Sequence, residues 1–123
     1  MRYVNAGHNP PFLLRHNGAQ AQSTFEELAK GGMIIGMFAQ SNYEETEVAL
    51  GSGDVLIVYS DGVTEAHDPK DEEFGEERLK ELLQRTAHLE IDEMSSHILQ
   101  ELKAWMADAA QYDDLTFVLM KVL

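Results

Sequence analysis

Apolar positions along the chain follow two regimes. Up to about residue 60 they come in short runs broken by glycine, proline and asparagine, and beyond it they recur at three- and four-residue spacing. Tyr3 to Ala6 reads as a short strand, and Gly7 to Pro11 as a turn whose prolines cannot donate to a sheet ladder. Phe12 to Arg15 is a second strand, Asn17-Gly18 a hairpin signal, and Gln20 to Phe25 its antiparallel return. Gly31, Gly32 and Gly36 mark an irregular segment. Tyr43 to Leu50 is partly alternating and rich in strand formers. Gly51 to Asp54 is a tight turn that opens onto the nearly unbroken apolar run Val55 to Ser60, which reads as a buried strand.

After Asp61 the period changes. Leu79, Leu82 and Leu83 predict a helix over Glu76 to Arg85, with acids first and Lys80 and Arg85 later, as the helix dipole prefers. A second helix is predicted over Asp92 to Ala107, its stripe Met94, Ile98, Leu102 and Trp105 spaced four, four and three. These side chains read as core. Leu115 to Val122 closes the chain as a strand. Strands, then two helices, then a strand, with mostly hairpin connections, predict an α+β fold: antiparallel sheet packed with two helices on one face. At 123 residues the chain suits one domain, with no repeat, low-complexity tract or linker.

Candidate chemistry sits at two strand tips. The central run ends on Asp61-Gly62, and Asp113-Asp114 precedes the last strand. Rigid carboxylates brought together would suit a hard divalent cation, which takes oxygen ligands. Each dipeptide also has a structural reading. Asp-Gly favours turns, and adjacent aspartates often cap an element or simply face water. What distinguishes Tyr59 to Ala66 is that it follows a buried strand without a hairpin partner. Side chains alternate along a strand, so only one of Asp113 and Asp114 can face a shared site, with Thr116 on the Asp114 side. Asn5 to Pro11 contains His8, a possible ligand or general acid, though a histidine in such a turn is more often structural.

Charge and composition narrow the options. The net charge is −13, from 9 basic and 22 acidic residues, which disfavours nucleic acid and anionic membranes and demands cations for any phosphate chemistry. Much of the acidity lies between Asp61 and Glu77, read mainly as a solvated loop plus an acidic first helical turn. Cysteine is absent, which removes disulfides, thiolate metal sites and cysteine nucleophiles. No apolar stretch nears the ~18 residues of a membrane span, and Met1 to His8 contain no apolar segment of signal-peptide length. The expected setting is the cytoplasm. No G-x-S-x-G elbow or phosphate-cradling glycine loop with lysine is present.

Together, YVNAGHNPPFLLR, GGMIIGMF, GDVLIVYSDGVTEAHDPKDEEFGEERL and DDLTFVLMKV resemble the C-terminal part of a PPM-type, metal-dependent serine/threonine phosphatase, in the bacterial branch typified by SpoIIE and RsbU. The resemblance covers essentially the whole chain. It implies half of an α-β-β-α sandwich, with Asp61 and Asp113 as metal carboxylates and Gly62, Asp114, Asn5, His8 and Thr116 in support. Members of the family use two Mn²⁺ or Mg²⁺ ions to activate a water that attacks phosphoserine or phosphothreonine, and no phosphoenzyme forms.

The same resemblance implies a substrate, a phosphorylated anti-anti-sigma protein of the STAS type in sigma-factor partner switching. It also implies an upstream sensor or receiver domain. The family's Asp-x-x-Gly-His-Gly motif does not occur here, so residues 1–123 are expected to be the C-terminal portion of the catalytic domain, without its N-terminal metal-binding half. Such a fragment is expected to be inactive alone and, with sheet surface exposed, to form a homodimer. The competing expectations are a non-catalytic pseudophosphatase or binding module, and a plain acidic interaction domain. Ala66 to Gly75 is expected to form an exposed flap beside the metal edge, or simply a solvated connection.

Overall fold

A computed structural model describes residues 1–16, 23–109 and 113–123. In chain order the elements are β1 (Arg2–Tyr3), β2 (Asn5–Ala6), β3 (Phe12–Arg15), β4 (Thr24–Glu27), β5 (Gly31–Gly32), β6 (Thr46–Glu47), β7 (Val55–Tyr59), α1 (Asp61–Thr64), α2 (Gly75–Thr86), α3 (Ile91–Met106) and β8 (Phe117–Lys121). The main sheet runs β4-β3-β7-β8, antiparallel throughout. The α+β reading holds, with both long helices within about a residue of their expected bounds.

Alternation explains why β3 and β7 are apolar at nearly every position: both their faces are covered. Phe12, Leu14, Val55, Ile57 and Tyr59 share one core with Leu79, Leu82 and Leu83 of α2 and Met94, Ile98 and Leu102 of α3. Leu13 and Leu56 point the other way, into a smaller cluster with Leu28 and Val48. On β8 the pattern splits. Phe117 and Leu119 pack toward the helices, whereas Val118 is 62% and Met120 37% exposed on the opposite face.

Several local readings change. The strand expected over Tyr3 to Ala6 divides, because β1 pairs antiparallel with β6 while β2 pairs parallel with β5. Of the glycines read as irregular, Gly31 and Gly32 are therefore a strand, while Gly36 stays in a turn. Gly31 faces Asn5, and a β-carbon there would collide with the Asn5 carbonyl, so only glycine allows this approach. Tyr43 to Leu50 contracts to Thr46–Glu47, and the last strand begins at Phe117 instead of Leu115. One helical turn, α1, appears where only a strand end was expected. The Asn17-Gly18 signal lies outside the described residues, but its flanking strands do pair, Arg15 opposite Thr24.

Candidate metal-binding edge

Antiparallel pairing of β7 and β8 ends with Tyr59 opposite Phe117, so the chain leaving β7 and the chain entering β8 meet at one edge. Asp61 opens α1 there, and Asp113 and Asp114 approach from the other side. Gly62 forms the contact between them. It is buried, and a β-carbon on it would lie 2.5 Å from the Asp114 carbonyl oxygen and 3.4 Å from the Asp113 Cβ. Asp61 and Asp113 are thereby brought to the same edge.

Ser60, which the sequence reading passed over, joins the two segments. Its N–H donates to the Thr116 carbonyl at 2.9 Å. Its hydroxyl donates to the Asp114 carbonyl at 3.0 Å and accepts the Thr116 N–H at 3.1 Å. Thr116 and Asp114 thus contribute through their backbones. The only sequence cue was a hydroxyl residue between a strand end and an aspartate.

Both carboxylates are exposed and bonded to the next amide: Asp61 Oδ1 accepts the Gly62 N–H at 3.0 Å, and Asp113 Oδ1 the Asp114 N–H at 2.7 Å. These bonds fix one oxygen of each group. Hard oxygen donors of this kind suit Mn²⁺ or Mg²⁺. Two carboxylates are a partial ligand set, and the described residues contain no group of three or more His, Cys, Asp or Glu able to hold a metal ion.

Asn5 and His8 bond within the β2–β3 turn, and Asn5 also reaches Leu28 beyond β4. The Asn5 amide donates to the carbonyls of His8, at 2.9 Å, and Leu28, at 3.3 Å, and its oxygen accepts the His8 N–H at 2.9 Å. His8 Nδ1 lies 2.8 Å from the Asn9 carbonyl. These contacts hold the β2–β3 turn in shape.

The segment from Ala66 to Gly75 is an ordered loop. Its base closes on the Ala66 carbonyl, which accepts the Phe74 N–H at 2.8 Å and the Trp105 indole N–H at 3.1 Å. Asp68 accepts the amides of Lys70, at 2.8 Å, and Glu72, at 2.9 Å. The Glu72 amide leads in holding the Asp68 carboxyl below its usual range. Residues 69–73 are exposed. A cavity of about 450 Å³ lies elsewhere, between α2 and α3, lined by Arg78, Arg85, Glu101 and Trp105 among others. It belongs to the helix layer and not to the carboxylate edge.

The family model for stage II sporulation protein E (SpoIIE) matches residues 1–123. The chain belongs to the SpoIIE family. Among curated relatives, it is similar to protein IcfG of Synechocystis sp., 35% identical over 96% of this chain and 18% of that protein. It is also similar to phosphoserine phosphatase RsbU of Bacillus subtilis, 29% identical over 97% of this chain and 34% of RsbU. The chain therefore spans about a fifth to a third of these relatives.

Among solved structures, the SiaA-PP2C domain of Pseudomonas aeruginosa superimposes with a TM-score of 0.75 at 21% identity, covering 98% of this chain and 46% of that one. The PP2C phosphatase domain of SpoIIE from Bacillus subtilis, solved with a regulatory fragment, gives 0.68 at 22% identity, covering 98% and 32%. A Mn-presoaked structure of the SpoIIE phosphatase domain gives 0.55 at 19% identity, covering 98% and 50%. The SpoIIE-family chain thus has the fold of part of a PP2C domain. Among its described residues no helix is long and apolar enough to cross a membrane.

Proposed function

We propose that this chain is the C-terminal portion of the catalytic domain of a metal-dependent protein serine/threonine phosphatase, and that Asp61 and Asp113 hold its cations. One observation carries the reading: Gly62, seated against the Asp114 carbonyl and the Asp113 Cβ, brings the two aspartates to one edge. Bound Mn²⁺ or Mg²⁺ ions would screen phosphate charge, acidify water and stabilise the attacking and leaving oxygens. Asp61 and Asp113 supply the oxygens, each turned by its bond to the following amide. Asp114, Gly62 and Thr116 fix the backbone around them, while Asn5 and His8 shape the neighbouring turn. A chain of net charge −13 repels a phosphoprotein, so cations at this edge also make substrate approach feasible.

The substrate we propose is a phosphorylated anti-anti-sigma protein of the STAS type, under control of a sensor or receiver domain in the same protein. The exposed loop 69–73 is its candidate contact. Val118 and Met120 add an apolar strip to a sheet face that also bears a depression of about 300 Å³ lined by residues including Tyr3, Val4, Leu56 and Val58. An open apolar face of this kind supports self-association when the chain stands alone. A second reading, a non-catalytic module, draws on the finding that the described residues hold no group of three or more His, Cys, Asp or Glu able to bind a metal ion.

Turnover of a phosphoserine-bearing STAS protein by the complete protein decides between them. The phosphatase reading expects Mn²⁺-dependent release of phosphate, and a fall of at least about a hundredfold in Asp61→Asn, the scale of losing one electrostatic element of an active site. Equal activity in Asp61→Asn and wild type would defeat it.

A further inference from the structure

We infer that Ser60 is a positioning residue for the cation site: its hydroxyl holds the Asp113 segment in register with Asp61 and so sets the affinity for Mn²⁺. The inference rests on the metal role proposed above for the two aspartates. The paired ladder of β7 and β8 stops at Tyr59 and Phe117, three residues short of Asp114 and four short of Asp113. Past that point the β8 side has to be held by other means. Ser60 supplies them twice. Its backbone N–H reaches the Thr116 carbonyl, and its hydroxyl spans from the Thr116 N–H to the Asp114 carbonyl.

A hydroxyl is suited to this post because it donates and accepts at once. It receives one backbone donor and serves one backbone acceptor on the same segment, which fixes both the height and the tilt of the chain that carries Asp113. Gly62 presses on the same carbonyl from the neighbouring position, so the Asp114 carbonyl is fixed from two sides. Both bonds lie at an exposed edge where water can replace them. Losing the hydroxyl therefore frees the Asp113 segment while the core beneath it stays packed. Partners that orient metal ligands typically cost 10–100-fold in metal affinity when removed, and Ser60 acts one step further back, on the backbone that carries the ligand.

The experiment is a Mn²⁺ titration by calorimetry on the complete protein, wild type and the variants Ser60→Ala, Ser60→Thr and Asp61→Asn, with thermal unfolding recorded in chelator. The expected result is a Kd about tenfold weaker in Ser60→Ala, near-wild-type affinity in Ser60→Thr, and a metal-free melting temperature close to wild type in both. Asp61→Asn is expected to lose the site. Wild-type affinity in Ser60→Ala beside loss in Asp61→Asn overturns the role of Ser60 and leaves the metal reading intact. Wild-type affinity in Asp61→Asn overturns both. A metal-free Ser60→Ala that melts far below wild type also overturns the inference, since Ser60 would then be holding the fold.

Discussion

Gly62 lies directly against Asp114: the position its β-carbon would take is 2.5 Å from the Asp114 carbonyl oxygen, closer than real side chains approach backbone. The aspartates on either side of this contact are therefore apposed by main chain packed on main chain. Their positions do not depend on an attraction between side chains, and two carboxylates would repel.

Gly62→Ala tests that contact. The added methyl has to push residues 113–114 away or shift α1. A cost of about 1–3 kcal/mol is expected, as for an overpacked site, together with weaker Mn²⁺ binding. Urea denaturation and metal titration read the two effects. Wild-type values in both would mean that the edge yields freely.

Asp54 anchors the opposite end of β7. Burial alone would raise its pKa, but the amides of Gly51 and His16 and the Arg15 guanidinium outweigh it, so its carboxyl titrates below its usual 3.8. The Arg15 bond is 2.9 Å long. A depressed folded value means that the stabilisation is complete above the usual value and is lost as pH falls through the folded one. Asp54→Asn should cost about 2 kcal/mol at neutral pH, and the gap to wild type should narrow at pH 3. Denaturation midpoints at the two pH values measure it. A gap that does not change with pH would rule out the ionised carboxylate as its source.

Much of this was legible in the sequence, because pattern alone fixed the long elements. The apolar run at Val55 and the stripe through Met94, Ile98 and Leu102 are periodic signals, and both lie in the core as expected. The placement of Asp61 and Asp113 at one edge was legible as an expectation, since it needs only that β7 and β8 pair antiparallel. What stayed hidden depends on register or on distant partners. The Ser60 bonds exist only when Tyr59 faces Phe117, and the Gly31–Gly32 strand exists only because Asn5 comes alongside. Neither leaves a local period. The single turn of α1 escaped for a different reason, since four residues are too few to show a helical period.

Trp105 ties the loop 66–75 to α3 through its indole N–H on the Ala66 carbonyl and its edge-to-face contact with Phe74, centroids 5.9 Å apart. Trp105→Phe keeps much of the ring contact and drops the bond. About 1 kcal/mol of local stability should be lost, seen as faster hydrogen exchange at the Phe74 amide with little change in the global midpoint. Unchanged exchange there would remove the indole bond from the account of the loop.

Val118 is the most exposed apolar residue within a strand of the main sheet, at 62%. If the open face drives self-association of the isolated chain, Val118→Lys should shift it toward monomer at equal concentration, with the fold kept because the side chain points away from the helix layer. Sedimentation equilibrium reads the shift. A monomeric wild-type chain at high concentration contradicts the premise.

The most direct test of the central claim is anomalous diffraction from crystals of the complete protein soaked in Mn²⁺. The account predicts a manganese peak bounded by the side chains of Asp61 and Asp113. A fully occupied peak that leaves either carboxylate outside its coordination shell would contradict it.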